Sequence, residues 1–136
     1  MVLLPSCLLA SLEECLTVGG AVRSVAERLG RSVAFVGSTA LAHQLVRGPG
    51  GWPSEAQQQR DREFIAMLVE GRITDAKVGL HDYAREVVAE AGGRVLATTL
   101  GCLDDKSGGR YAGRMHGAYG PSSGSGNASI AVRPVA

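Results

Sequence analysis

Aromatic residues are scarce in this chain: two Phe, three Tyr and one Trp make up 4% of its 136 residues. With so few large rings, the interior has to be filled by Val, Leu and Ala. Cysteine is equally sparse. Cys7, Cys15 and Cys102 form no CxxC or other metal-ligand spacing, and an odd count argues against a disulfide framework, so free thiols in a reducing cytoplasm are expected. Charge of one sign is missing too. Fourteen Lys plus Arg against 13 Asp plus Glu leave a net charge of +1, which gives no basic surface for a polyanion, and nucleic acid is not expected as a partner. No apolar run approaches the roughly 20 residues of a membrane span. The apolar start Met1 to Ala10 has no preceding Lys or Arg and is interrupted by Glu13 and Glu14, unlike a secretory leader. The three histidines, His43, His81 and His116, have no regular metal spacing.

What the chain does have is glycine, 19 residues of it, and enough length for a single domain over residues 1–136. Val2 to Leu4 reads as a short strand ended by Pro5. Ser11 reads as the cap of a helix with Glu13 and Glu14 in its first turn, an apolar stripe of Val18, Val22, Val25 and Leu29, and a stop at Gly30. The continuous apolar run Val33-Ala34-Phe35-Val36, bounded by Gly37, predicts a buried strand over 32–36.

Beyond it, Gly48 to Pro53 is a loop. Ser54 caps a helix through Glu70, with Phe64, Ile65, Leu68 and Val69 on its apolar face and Gly71 ending it. Thr74 opens a short helical turn. Residues 81–103 read as one or two helices, with Leu96, Leu100 and Leu103 on one face and a weak point at Gly92-Gly93. Asp104 to Gly109 is a loop, and the tail holds strands around 115–119 and 128–132, separated by the Gly/Ser-rich stretch Pro121 to Gly126. A buried strand between amphipathic helices implies an α/β fold with a central sheet covered on both faces. An exposed apolar sheet edge would then make the chain associate, as a homo-oligomer or with a partner chain.

His43 is the residue that reads first as chemistry, because it follows the buried run, where a strand end releases an imidazole able to handle protons near neutral pH. The bland alternative is a loop histidine bonded to its neighbours. Ser38 with His43 does not make a hydrolase, since no Gly-x-Ser-x-Gly elbow surrounds the serine. Gly124-Ser125-Gly126 lacks the Lys and helix of a phosphate loop. Arg60 and Arg62 read as the solvated face of their helix.

The stretch Val36 to His43, with Ser38, Leu41 and His43 matching and a Gly/Pro/Trp loop following, resembles the Ser/Gly/Leu/Ser/His segment in the catalytic chain of class III extradiol ring-cleavage dioxygenases. Asp61 to Gly71 is similar to that family's Asp-x-x-Phe-(x)3-Leu helix. Asp82-Tyr83-Ala84 and Leu100-Gly101-Cys102-Leu103 are similar to its Glu-Tyr-Ala and Arg-Gly-Ala-Leu stretches, and Tyr119-Gly120-Pro121 with Gly124 to Ala128 resembles its closing strands. Ala40 and Ala42 depart from the polar positions of the first motif.

The resemblance implies a three-layer α/β/α fold with a central mixed sheet, of which this chain matches the carboxyl-terminal half. It implies a non-haem Fe(II) enzyme that cleaves a catechol-type aromatic ring with O2, the iron held by two histidines and a glutamate. Both histidines fall in the amino-terminal half. The glutamate position is best matched by Gly93, and Glu90, three residues earlier, is either a metal ligand or the family's first, non-liganding acid. His43 takes the place of the catalytic acid/base, with Ser38 and Thr39 beside it as substrate contacts. Two readings stay open: a dioxygenase component completed by a chain supplying the amino-terminal half, or an inactive truncated relative with a structural or partnering role.

Overall fold

Ser11 begins the first helix as its local sequence requires. Its hydroxyl accepts from the Glu14 amide at 3.1 Å while the Glu14 carboxylate accepts from the Ser11 amide at 2.7 Å, a reciprocal capping box. In this computed structural model, which describes residues 9–44, 51–103 and 110–135, the helix (α1) runs over Leu12–Arg28 and stops at Leu29, with Gly30 at φ +60°. The expectations at Val2 to Leu4, Cys7, Gly48 to Gly50 and Asp104 to Gly109 lie outside the described residues.

Ser54 repeats the device with Gln57 at the start of α2, Glu55–Val69. Three short helices follow the turn at Gly71: α3 at Ile73–Val78, α4 at Leu80–Glu86 and α5 at Arg94–Gly101, the last two separated by a 3-10 turn at Glu90–Gly93. The weak point at Gly92-Gly93 is real, since Ala91, Gly92 and Gly93 have φ of 50°, 63° and 79°, which no helix continues through.

The core forms between α2, α3, α4 and α5. Phe64 stacks on Tyr83 with ring centroids 4.2 Å apart, and Ile65, Ile73, Leu80, Val87, Ala97 and Leu100 close around them. Helix α1 lies on α5 but turns toward it a line different from the expected one. Cys15 and Gly19 are buried, whereas Val18, Val25 and Leu29 are exposed. The small side chains face α5 because they let the two backbones approach closely.

The tail makes two antiparallel pairs. Strand β1, Tyr111–Met115, pairs with β4, Ile130–Pro134, in the register Gly113↔Val132. Strands β2, Gly120–Ser122, and β3, Ser125–Asn127, form a hairpin turned by Ser123 and Gly124. Strands therefore form earlier and later than the stretches expected for them, and the Gly/Ser-rich separator is itself the hairpin. His116, expected at a strand start, follows the end of β1.

Helices with small antiparallel sheets are consistent with the α/β class. The central mixed sheet and the three layers expected around it are not formed among the described residues, whose sheets have two strands each. The physical reason sits at 32–36: this run pairs with no strand, and Val33 and Val36 are 56% and 84% exposed. An apolar run becomes a buried strand only when another strand takes up its backbone groups.

Candidate functional site

The chain between Thr39 and Gln44 is held from both sides by backbone hydrogen bonds. On one side, the His43 amide donates to the Val88 carbonyl at 3.1 Å and the Glu90 amide donates to the Leu41 carbonyl at 3.2 Å. On the other, the Leu41 amide donates to the Gly126 carbonyl, the Gly126 amide to the Ala42 carbonyl, and the Gln44 amide to the Gly124 carbonyl, at 2.7–2.9 Å. Single bridges Ala42↔Ala89 and His43↔Ser125 express the same weave. His43 thus sits in a short three-segment patch whose flanks come from the α4–α5 connection and the tail hairpin.

Val88 has φ +53°, a region a β-branched side chain enters only under strain, and its carbonyl is the one that accepts from His43. The hairpin side depends on two glycines. A Cβ on Gly124, itself at φ +81°, would stand 1.8 Å from the Gln44 carbonyl oxygen, and one on Gly126 would stand 2.0 Å from Asp61 Oδ2 and 2.6 Å from the Tyr119 hydroxyl.

Behind this patch lies Asp61, fully buried at 0% exposure. Its Oδ1 accepts from the Tyr83 hydroxyl at 2.7 Å and from the Ala42 amide at 3.2 Å, and its Oδ2 accepts from the Tyr119 hydroxyl at 2.8 Å. Burial pushes the Asp61 carboxyl above the usual aspartate range, against the three donors that favour its charged form. Both phenols are pushed up from the ordinary tyrosine value, first by their own burial and then by the carboxylate beside them. Arg62 stacks its guanidinium over Tyr119, 5.1 Å from the ring centroid.

On the solvent side, Glu90 Oε2 accepts from the Ala40 amide and from the Thr39 hydroxyl, the latter at 3.2 Å. Thr39 and Glu90 are half-buried and Ser38 is exposed. The His43 Nδ1 lies 2.9 Å from the Ser125 hydroxyl. The structure therefore brings His43, Thr39 and Glu90 to one loop and leaves His81 and His116 exposed elsewhere. Sequence reasoning missed Asp61 as a buried anchor and Ser125 as the partner of His43. A lone acid on a helix offers no spacing signal; the only hint for Ser125 was the flanking glycines, which demand close backbone approach.

The metal set implied by resemblance does not assemble from these residues. Among the described residues no three of His, Cys, Asp and Glu lie close enough to hold an ion. The Glu90 carboxylate is occupied by the loop, and buried Gly93 at the liganding position has no side chain to offer. Beside the loop, Gln44, Trp52, Gln57, Arg60 and Glu86 line an open cleft of about 640 Å³. Arg60 in it is paired with Glu63 at 2.7 Å and Glu86 at 2.6 Å, so the solvated face expected for this residue is a salt-bridged one. No described helix is long and apolar enough to cross a membrane.

No curated protein matches the chain. The family model described as the catalytic LigB subunit of aromatic ring-opening dioxygenase matches residues 2–130. A match over nearly the whole chain, through the loop that carries His43 and the helices and hairpin that hold it, makes this protein a member of the aromatic ring-opening dioxygenase catalytic-subunit family.

Proposed function

We propose that this chain is the acid/base half of a non-haem Fe(II) extradiol dioxygenase that opens a catechol-type ring with O2, the iron ligands being contributed by a partner chain. The observation that carries the reading is the placement of His43. Its backbone is fixed on both sides and one ring nitrogen is engaged, while the residue itself is half-buried and its neighbour Gln44 lines the cleft. An imidazole so held takes a proton from a substrate hydroxyl at its second nitrogen without reorganising. Ser38 and Thr39 are the nearby hydroxyls for substrate contact, and Trp52, 61% exposed, offers a face for an aromatic ring.

Iron enters this reading through the family alone. The described residues do not supply its ligands, so no step at the metal is assigned to them. A cytoplasmic heteromer follows from the same reading. The partner adds strands beside residues 32–36, where Val33 and Val36 stand exposed, and completes the three-layer α/β/α arrangement around a mixed sheet. The alternative, an inactive relative with a structural or partnering role, draws its support from the commitment of Glu90 to the Ala40 amide and Thr39 hydroxyl.

Anaerobic Fe(II) loading of the purified chain, followed by metal analysis and oxygen uptake with a panel of catechols, tests both. Iron absent from the chain alone, with uptake appearing on addition of a partner chain and abolished by His43→Ala, is the expected result. Uptake that persists in His43→Ala overturns the acid/base role, and no uptake with any partner supports the inactive reading.

A further inference from the structure

We infer that Ser125, on the tail hairpin, is the positioning residue for His43: its hydroxyl accepts from the imidazole Nδ1–H and thereby leaves the Nε2 lone pair as the free base. The inference rests on the acid/base reading of His43 but concerns a different atom pair and a different element.

The geometry comes from the backbone first. The bridge His43↔Ser125 sets these two residues opposite one another. Its register is fixed by the amide of Gln44 on the Gly124 carbonyl and by the exchange between Gly126 and Leu41–Ala42. Gly124 and Gly126, on either side of Ser125, are buried and tolerate no Cβ. The hairpin therefore cannot slip by a residue, and a slip of one is what would turn Ser125 to the opposite face. With the register locked, the hydroxyl meets Nδ1 at 2.9 Å, a full hydrogen bond.

The direction of that bond is a question of chemistry. A serine hydroxyl both donates and accepts, so two tautomers satisfy the distance. If the hydroxyl donates, Nδ1 is the acceptor and the proton sits on Nε2, which is then no base. If Nδ1–H donates, Nε2 carries the lone pair. The second arrangement is also the one that survives protonation, because an imidazolium donates from both nitrogens. A proton then enters and leaves at Nε2 without the Ser125 contact having to reverse, which is what a group cycling between base and acid requires. Oxygen at Ser125 thus sets which nitrogen works, while His43 remains the group that meets substrate.

Nitrogen NMR of the His43 ring in the full chain above neutral pH tests this, with His43 assigned by its loss in His43→Ala. A pyrrole-like Nδ1 and a pyridine-like Nε2 are expected, with Ser125→Ala moving the population toward the Nε2–H form and Ser125→Thr, which keeps the hydroxyl, restoring it. A protonated Nε2 in the unsubstituted protein, or a tautomer unchanged by Ser125→Ala, overturns the inference. The first criterion needs no variant to fold. The spectrum is read without turnover, so failure of the acid/base reading, seen as oxygen uptake indifferent to His43→Ala, is separate from failure here.

Discussion

Two carboxylates hold the loop before His43, and they do so in opposite surroundings. Asp61 takes the Ala42 amide from inside the protein, with two tyrosine hydroxyls completing its shell and no exposure to solvent. Glu90 takes the Ala40 amide, two residues earlier, from a half-buried position with one threonine hydroxyl for company. The difference teaches where the fold ends and the site begins. A buried acid with three donors joins α2, α4 and the tail to the loop, so it cannot change without the core changing. A half-exposed acid holding the same loop has water as a substitute for every bond it makes, and its loss is felt locally.

Removing the inner carboxylate is the strongest way to break this contrast. Asp61→Ala leaves the Tyr83 hydroxyl buried without an acceptor and frees the Ala42 amide and Tyr119, a loss of about 3 kcal/mol or more at roughly 1–3 per stranded group. An unfolding free energy from denaturant titration that falls by less than about 1 kcal/mol would dissolve the distinction between the two acids. Tyr83→Phe comes next, at about 1–2 kcal/mol, because the stacked ring over Phe64 is retained and only the hydroxyl bond is lost. Tyr119→Phe costs less than Tyr83→Phe, since its ring lies nearer solvent.

The same network makes stability depend on pH with one sign at both ends of the scale. The Asp61 carboxyl is raised above 3.8, so the folded state holds its proton more tightly than the unfolded chain. Its contribution is full below that value and is lost as pH rises through the folded value. Tyr83 and Tyr119 are raised above 10, so their contribution is present below that value and lost as pH climbs beyond it. The stability of the unsubstituted protein minus that of Asp61→Asn is therefore expected to fall as pH rises from 3.8. Unfolding in alkali should bring the phenolate absorbance of Tyr83 and Tyr119 up together with the loss of structure. Phenolate signal from both tyrosines in a still-folded chain would show the network to be open to solvent.

How much of this is legible in the sequence depends on how local its cause is. Ser11 with Glu14 and Ser54 with Gln57 are signals complete within four residues, and both helices begin where those signals place them. The break at Gly92-Gly93 is legible for the same reason, whereas His43, expected in a loop at the end of a buried strand, sits instead in a bridge to Ser125 with its amide on the Val88 carbonyl, contacts far along the chain. The run at 32–36 misleads because an apolar stretch states only that it prefers burial. Whether another strand meets it is decided elsewhere in the chain or in another one. The tail strands are displaced because their register is set by pairing across 130–134 rather than by their own composition. Asp61 stands out in the sequence only as one letter of a resemblance, and Ser125 only through the glycines on either side of it. Both act through contacts with residues at least 19 positions away, Ala42 for the aspartate and His43 for the serine, and no periodicity encodes such distances.

Smaller effects sharpen the contrast from the solvent side. Val88→Gly removes a β-branched side chain from φ +53°, relieving about 1–3 kcal/mol of backbone strain while adding about 0.4–1 kcal/mol of unfolded-state freedom. The net expectation is a gain of about 1 kcal/mol with the Val88 carbonyl still on the His43 amide. A destabilised Val88→Gly would mean that the valine side chain, half exposed as it is, anchors the connection by packing.

Glu90→Gln is the smallest change and the most telling. The amide oxygen of glutamine still accepts from the Ala40 amide, so what is lost is the charge on one half-buried bond, about 0.5–1 kcal/mol. If Glu90 is a loop latch, that loss appears as faster hydrogen exchange at Ala40 and neighbouring loop amides, with the Ala42 amide, held by Asp61, still protected. Protection falling at Ala40 and Ala42 together would mean that the two carboxylates hold one cooperative unit. In that case, the inner acid would be as much a part of the site as the outer one.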